Sequence, residues 1–504
     1  MSHKLRRRVR QRKDRIERRL AKAQGQGCSG VASTVARVEV GARTVATSWG
    51  GIVAAHKVAL SSGLVELIDS EFQLFKQPGR YKESDHVLNL AFNALCGGRC
   101  LEDIELRRQD EAYLDVLGAA SIPDPTTAGD FCRRFDGHDV DRLQDIINRA
   151  RALVWQQQPK EFLRATARLD IDATIVATGG ECKQGMALSY NGTWGYSALM
   201  VSLANTGEAL LFKLYGANRP SHEGAAPALA RAISVVRTAG FKDVLLRGDT
   251  AFSLTAHFDR WTSDKVRFVF GYNASQGMKS RADTVPDGEY RELVRQADQC
   301  FLDSQRSRQP RVKEQIVRLK EYKNLKLRRE DVAEFRHQPR KAERAYRMIV
   351  LRKNISVEKG DHALFDDIRY FFYITNDLEM DALEVVVEAN KRCNQENIFR
   401  ELKGGVRALH APVNCLVSNW AYLVMTGLAW TLKAWMALSL PVSARWRDKH
   451  DEHRRRWLRM GFRTFINAVV RIPAQVLTTG RRRVVRMLAW TPELHTTLRL
   501  LDAW

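Results

Sequence analysis

Acidic residues are the scarce class in this chain: 58 Asp and Glu stand against 81 Lys and Arg, a formal net charge of +23. That imbalance makes a strongly basic partner a poor fit and puts polyanions first, nucleic acid ahead of an anionic membrane surface. Cysteine is sparse as well, 8 in 504 residues, which excludes a disulfide-built scaffold and fits free thiols in a reducing compartment. Cys96 and Cys100 are the closest pair, but no second Cys or His pair follows at zinc-site distance, so both read as core residues. The basic stretch from Met1 to Ala23 lacks the continuous apolar run of a secretory signal, and a cytoplasmic protein is expected. Trp420–Leu440 is long enough to span a bilayer, yet Asn419 at its entrance and Lys433 within it point to a buried helix of a large soluble domain. No internal repeat is visible.

What is present divides into six segments. Residues 1–27 read as a basic disordered arm, with eleven Lys or Arg between Lys4 and Lys22 against Asp14 and Glu17 and almost no apolar periodicity. Residues 28–160 carry apolar positions spaced by three and four, as in Leu88, Ala91 and Leu95, and again Leu143, Ile146 and Ile147, the pattern of a helical DNA-binding or dimerisation domain. Within it Pro123-Asp-Pro-Thr-Thr127 is a turn from which Thr126 or Thr127 would cap a helix carrying Phe131 and Phe135. Arg133 and Arg134 on that helix are candidate DNA contacts.

From residue 161 to 275 the period changes. Short runs at Arg168–Val176, Ala198–Leu203 and Ala209–Tyr215 read as antiparallel strands, the last two joined by the hairpin signal Asn205-Thr-Gly-Glu208. A helix at Ala225–Ala239, a strand at Val244–Asp249, a helix at Leu254–Trp261 and a strand at Val266–Tyr272 follow, so the fold class is α/β with crossovers. Residues 276–380 read as a β-rich insertion, with strands at Asp331–Phe335, Tyr346–Leu351 and Ile368–Ile374. Residues 381–440 return to long helices, Leu383–Leu402 and Asn414–Leu440, and 441–504 form a basic helical C-terminal region.

Carboxylates in unexpected places mark the chemistry. Asp170 and Asp172 lie in the strand Leu169-Asp-Ile-Asp-Ala-Thr174, where a period of two puts both on one face. Asp249 ends a second strand, after Gly248, which permits close backbone approach; alternatively Asp249 only caps the next helix. In Ala389–Lys403 a turn of about 100° per residue gathers Arg392, Glu396 and Lys403 into a stripe of about 40°, with Glu401 about 140° away from Glu396. One acid between two cations suits a polyanion backbone, although a surface ion pair between Arg392 and Glu396 would give the same spacing.

Together these motifs resemble the DDE transposases of bacterial insertion sequences, and Arg392-x3-Glu396-x6-Lys403 resembles the signature of the group with a β-rich insertion between the second Asp and the Glu. Leu169-Asp-Ile-Asp-Ala-Thr174, Arg247-Gly-Asp-Thr-Ala-Phe252, Pro123-Asp-Pro-Thr-Thr127 and Phe131-Cys-Arg-Arg-Phe135 look most like blocks of the insertion-sequence thirteen-eighty family, a likeness covering roughly residues 55–490. The resemblance implies a ribonuclease-H-like core with Asp172, Asp249 and Glu396 as catalytic metal ligands, Asp170 in reserve. It also implies Arg392, Arg400 and Lys403 on DNA, and two Mg²⁺ per site about 4 Å apart, replaceable by Mn²⁺. It further implies cleavage of double-stranded terminal inverted repeats, joining to target DNA, and a homodimeric synaptic complex in the bacterial nucleoid, with no membrane partner. The alternatives are a nuclease of the same fold that cuts without joining, and a DNA-binding protein that has lost catalysis. Two positions depart from the pattern: Ala389 stands where the group has Tyr, and Cys393 where it usually has Gly.

Overall fold

The computed structural model describes residues 3–22, 45–77, 79–295, 312–359, 362–479 and 482–502. The boundary expected at residue 27 lies outside the described residues.

Helices fill the chain from Ile52 to Arg164, and their apolar stripes pack on one another and on a sheet. The turn at Pro123–Thr127 starts a helix at Pro125–Arg133, but the cap is Asp124, not a threonine: its Oδ1 accepts the Thr127 N–H at 2.9 Å. Asp outcompetes Thr because Pro125 occupies the first helical position, where no N–H is needed and the preceding residue is held extended.

A ten-stranded sheet runs through the molecule. After β1 (Ala46–Thr47), which lies elsewhere, the strands are β2 (Ala167–Ala177), β3 (Ala187–Leu188), β4 (Trp194–Leu203), β5 (Glu208–Gly216), β6 (Val244–Gly248) and β7 (Val266–Tyr272). β8 (Arg291–Glu292), β9 (Lys323–His337), β10 (Tyr346–Lys359) and β11 (His362–Thr375) extend it. The order is β3-β4-β2-β6-β7-β11-β10-β9-β8, with β5 also on β4. β5, β4 and β2 run antiparallel in turn, whereas β2, β6 and β7 are parallel. Helix Ala225–Ala239, bounded by left-handed Gly224 and Gly240, makes the crossover from β5 to β6. The expected helix at Leu254–Trp261 is instead a short 3₁₀ turn, Thr255–His257, followed by helix Phe258–Ser263.

The insertion is continuous with this sheet, because β11 pairs with β7 from Phe372 opposite Tyr272 to Thr375 opposite Val269. Its strands are two to three times longer than the apolar runs announced. Their outer halves, such as Lys323–Arg329, are charged and exposed, so hydrophobic pattern marks only the end buried against the core.

Helix Leu416–Leu438 is long and apolar enough to cross a membrane, but its residues are enclosed by the protein. Three indole N–H groups anchor it to β5 and its turn: Trp420 donates to Phe212 O (2.8 Å), Trp430 to Gly207 O (2.7 Å) and Trp435 to Glu208 Oε1 (2.9 Å). Fully buried Glu208 also receives Arg151 Nε at 3.0 Å and Trp155 Nε1 at 2.9 Å. Since Arg151 and Trp155 belong to helix Gly137–Gln156, this ionic knot locks the helical region to the sheet.

Both ends correct the sequence reading. The arm is a helix, His3–Lys22, and Val9 is buried with Ile472 and Leu494 while the Lys13 ammonium lies 5.7 Å from the Trp490 ring centre. One apolar position and cation–π contact, too little to form a pattern, dock an otherwise polar helix. The C-terminal region is not wholly helical: β12 (Ala474–Thr479) and β13 (Arg482–Met487) form a hairpin to which β1 adds, Ala46 opposite Gln475. Its few apolar residues, such as Val476, Val484 and Val485, sit among the arginines that led to the reading of a basic helical region.

Candidate active site

β2 runs parallel to β6 with Asp170 opposite Arg247 and Ile171 opposite Gly248. One step further along each strand stand Asp172 and Asp249, just past the carboxyl end of the parallel β2–β6 ladder, where an open α/β sheet leaves its crevice. Gly248 is required for that approach: a Cβ there would lie 2.9 Å from Phe252 Cβ and 3.1 Å from both Ile171 and Phe270. Asp249 does cap, as the alternative reading allowed, but a 3₁₀ turn, Thr250–Phe252, through Oδ1 to the Ala251 N–H at 2.9 Å. Oδ2 has no hydrogen-bond partner among the described residues.

The two strand aspartates have different surroundings. Asp170 is 1% exposed and takes a two-pronged bond from Arg247, Nε to Oδ1 at 2.6 Å and Nη2 to Oδ2 at 2.8 Å. Arg247 also donates to Glu388 Oε1 at 2.8 Å, and Glu388 receives Arg168 and Lys391. Asp170 is therefore consumed in an ion network that pins helix Ala382–Lys391 onto β2 and β6. Asp172 lines the opening, and among the described residues its one hydrogen bond is from its neighbour's N–H, Ala173, to Oδ1 at 2.8 Å. Burial pushes its carboxyl up to about 6; Asp249 and Glu396 push the same way, while the Ala173 N–H and Arg392 oppose them. Glu396 and Arg392 are thus close enough for their charges to be felt at Asp172.

The expected continuous helix Leu383–Leu402 is broken. It runs Ala382–Lys391, tightens through bonds from Arg392 N to Ala389 O and from Glu396 N to Cys393 O, resumes at Asn394–Arg400 and widens into a π turn at Glu401–Gly405. Tightening and widening change the rotation per residue in opposite senses, so the stripe read from a uniform helix survives. Lys403 Nζ reaches Thr174 Oγ1 at 2.6 Å, whereas Glu401 Oε2 accepts the Phe462 N–H at 2.9 Å on the other side. Buried Gln395, which the sequence reading passed over, holds the register: its Nε2 donates to Asp170 O at 3.1 Å and Met200 O at 3.0 Å, and Asp172 pairs with Met200 across the ladder.

Asp172, Asp249, Thr174 and Lys403 open on one cleft of about 590 Å³, which is also lined by Tyr190, Asn191 and Asn218–Ser221. Other expected residues lie apart from it. Arg400 is exposed on the helix after Glu396. Arg133 pairs with Asp130 at 2.5 Å, and Arg134 lies over the Phe75 ring, both in the helical region. Ala389 is 5% exposed, packed in a small core with Val269, Ile349 and Val385, with Tyr373 against the same cluster. That position faces packing, not the cleft, so a missing ring there leaves no gap in the cleft wall. Cys393 is exposed in the tightened turn.

Among the described residues no three His, Cys, Asp or Glu side chains already stand as a metal-holding cluster. The donor chemistry nevertheless fits a hard divalent cation, since Asp172, Asp249 and Glu396 offer carboxylate oxygens.

The chain belongs to the family described as transposase DDE domain, group 1, whose model matches residues 34–503. Among curated proteins no sequence relative matches. Among solved structures it is similar to the piggyBac transposase in a synaptic complex with hairpin DNA, at 10% identity and a TM-score of 0.37 over 84% of each chain.

Proposed function

We propose that the protein cleaves the ends of an insertion sequence and joins them to target DNA, as a member of the insertion-sequence thirteen-eighty group with a ribonuclease-H-like core. The observation that carries this reading is one cleft that brings Asp172 and Asp249, from adjacent parallel strands, together with Lys403 from the helical segment of Glu396, within a chain of the DDE transposase family. The strand sequence β5-β4-β2-β6-β7, antiparallel and then parallel, supports the core assignment.

Asp172, Asp249 and Glu396 would hold Mg²⁺, or Mn²⁺ in its place, which when bound supplies Lewis acidity toward the attacking water and the leaving 3′ oxygen. Lys403, fixed on Thr174, and Arg392 place positive charge at the cleft for the scissile phosphate. Asp249 is held by the Ala251 N–H with Oδ2 turned free, so it enters the reaction without rearranging its own turn. In cleavage the water oxygen forms a bond to phosphorus, the P–O3′ bond breaks and its proton ends on the departing 3′ oxygen, leaving a 5′ phosphate on the other fragment. In joining, the freed 3′ hydroxyl takes the water's place: its oxygen bonds to a target phosphorus, the target's own P–O3′ bond breaks and the hydroxyl proton ends on the departing target 3′ oxygen, so one site serves both steps.

The net charge and the basic helix His3–Lys22 support duplex DNA as the partner, with two copies bridging the two ends. The test is an end-labelled DNA carrying the inverted repeats that flank the gene, incubated with Mg²⁺ and supercoiled target. Label covalently attached to target DNA supports transposition; label released as cut fragments without joining favours the nuclease reading.

A further inference from the structure

We propose that helices Arg447–Arg459 and Leu494–Leu501, in the C-terminal region, form a binding site for a small phosphate oxyanion that docks on Arg499 beside Arg454 and His453. The site uses none of the residues assigned to the cleft.

The two helices touch at points of opposite character. Buried Glu493, at the N-cap of the second helix, accepts Trp457 Nε1 at 2.8 Å and pairs with Arg456 at 2.5 Å. That contact is an acid met by its donors. Further along, Arg499 Nη1 meets His453 Nδ1 at 3.4 Å. A guanidinium only donates, so the imidazole accepts there as a neutral ring. Arg454 directs both Nε and Nη2 to one carbonyl, Leu440 O, at 3.2 and 2.8 Å. Among the described residues, then, these two arginines rest on neutral acceptors.

Arg499 has more to satisfy than that. Its Nε and Nη2 are both buried, and neither has a partner among the described residues. They are the same two nitrogens with which Arg247 grips Asp170, at 2.6 and 2.8 Å. A buried donor pair left open is costly and calls for an acceptor, and this edge of a guanidinium matches two oxygens of one oxyanion. The surrounding charge selects phosphate. Burial and then Arg454 pull the Arg499 pKa down. His450 and His453 are lowered by burial and then by Arg499, with Lys449 acting the same way on both, against Asp451 at His450 and Glu493 at His453. Both of those acids have cations of their own, Arg447 at 4.0 Å from Asp451 and Arg456 on Glu493. A dianion offsets this excess better than a single carboxylate. Because both open nitrogens are buried between packed helices, a small free anion suits them where the backbone of a duplex does not.

The test is calorimetry of the full-length protein at pH 7.5 and constant ionic strength, with inorganic phosphate as the probe and chloride as the balancing salt. Wild type should show saturable phosphate binding and melt at a higher temperature with phosphate than with chloride alone. Arg499→Gln should weaken that binding by about 10- to 100-fold, as the loss of a charge-assisted pair does. Without phosphate the same variant should melt no lower than wild type, because it removes a cation from among cations. An arginine that only packs would give the reverse, a lower melting temperature with phosphate binding unchanged, and that result would overturn the proposal. If Arg499→Gln does not fold, exposed Lys449→Gln decides: binding weaker by about 2- to 5-fold supports the site, and unchanged affinity overturns it. No phosphate heat beyond that of chloride would also overturn it. So would phosphate binding that disappears once duplex DNA is bound, which would give the site to a backbone phosphate of DNA.

Discussion

Glu401 Oε2 accepts the backbone N–H of Phe462 at 2.9 Å, and the carboxylate is hemmed by two glycines: a Cβ on Gly405 would stand 2.9 Å from Oε2 and one on Gly461 3.1 Å from Oε1. Five residues earlier Glu396 acts electrostatically on Asp172. Two glutamates on one helical segment thus serve different partners, one bracing the C-terminal region and the other acting on Asp172. Glu401→Gln keeps an acceptor for Phe462 and should retain most of the cleavage rate, whereas Glu396→Gln should lose at least 100-fold, on the order of a lost ligand group. Single-turnover cleavage of end-labelled DNA reads both, and an inactive but folded Glu401→Gln beside an active Glu396→Gln would reverse the assignment.

Asp170 and Asp172 should separate by stability. Asp170→Asn removes the two-pronged partner of buried Arg247 and leaves it only Glu388, and should lower unfolding free energy by about 3 kcal/mol, as when one member of a buried ion network is removed. Asp172 is a carboxylate whose folded pKa is raised, so its ionisation weakens the fold as pH rises from the ordinary carboxylate range through about 6. Asp172→Asn should therefore leave stability at neutral pH equal or slightly higher while abolishing cleavage. Urea unfolding at pH 7.5 distinguishes them; destabilisation by Asp172→Asn comparable to that of Asp170→Asn would contradict the division of roles.

The helical region should be acid-sensitive through His86. This imidazole stacks on Phe131 with ring centres 4.3 Å apart, and its Nδ1 is buried without a partner. Burial pulls its pKa down to about 4, Glu83 opposing and Arg134 assisting. The unfolded chain binds a proton near pH 6.5 that the folded one takes up only near 4, so stability is present above 6.5 and falls as pH drops through that window. The loss should be about 1–2 kcal/mol after allowance for partial solvent contact. His86→Phe should flatten the dependence of the urea midpoint between pH 7 and 5, and an unchanged slope would assign the acid response elsewhere.

Removing residues 1–24 deletes the basic helix and its seat on Ile472, Leu494 and Trp490. If about five of its cations neutralise phosphates, the slope of log affinity against log salt should shrink by about 4–5 units. Cleavage at saturating DNA should change little. Superimposable salt slopes for the full and shortened chains would show that the helix braces the C-terminal hairpin without touching DNA.

How far the sequence could be read depended on whether an element's signal was local. Asp172 and Asp249 stood out because a charge on a Leu, Ile and Val strand needs a reason, and the strand periods placed β2, β6 and β7 within a residue or two. The break at Arg392 and Cys393 was not legible, since both residues keep right-handed helical angles and only the change to shorter hydrogen bonds interrupts the helix. Nor was the network of Asp170, Arg247 and Glu388, whose members lie 77 and 141 residues apart. Asp170 and Asp172 were therefore indistinguishable by strand period alone. The docked basic helix and the C-terminal hairpin were hidden by their own arginines, which mask a few apolar contacts.

The most direct measurement of the central claim is single-turnover cleavage of inverted-repeat DNA in Mg²⁺ by wild type, Asp172→Asn, Asp249→Asn and Glu396→Gln, with binding of the same DNA measured alongside. The account predicts that each substitution abolishes cleavage and leaves DNA affinity within a few-fold of wild type. Any one of the three variants cutting at a near wild-type rate would remove that residue from the site, and undiminished cutting by all three would contradict the account itself.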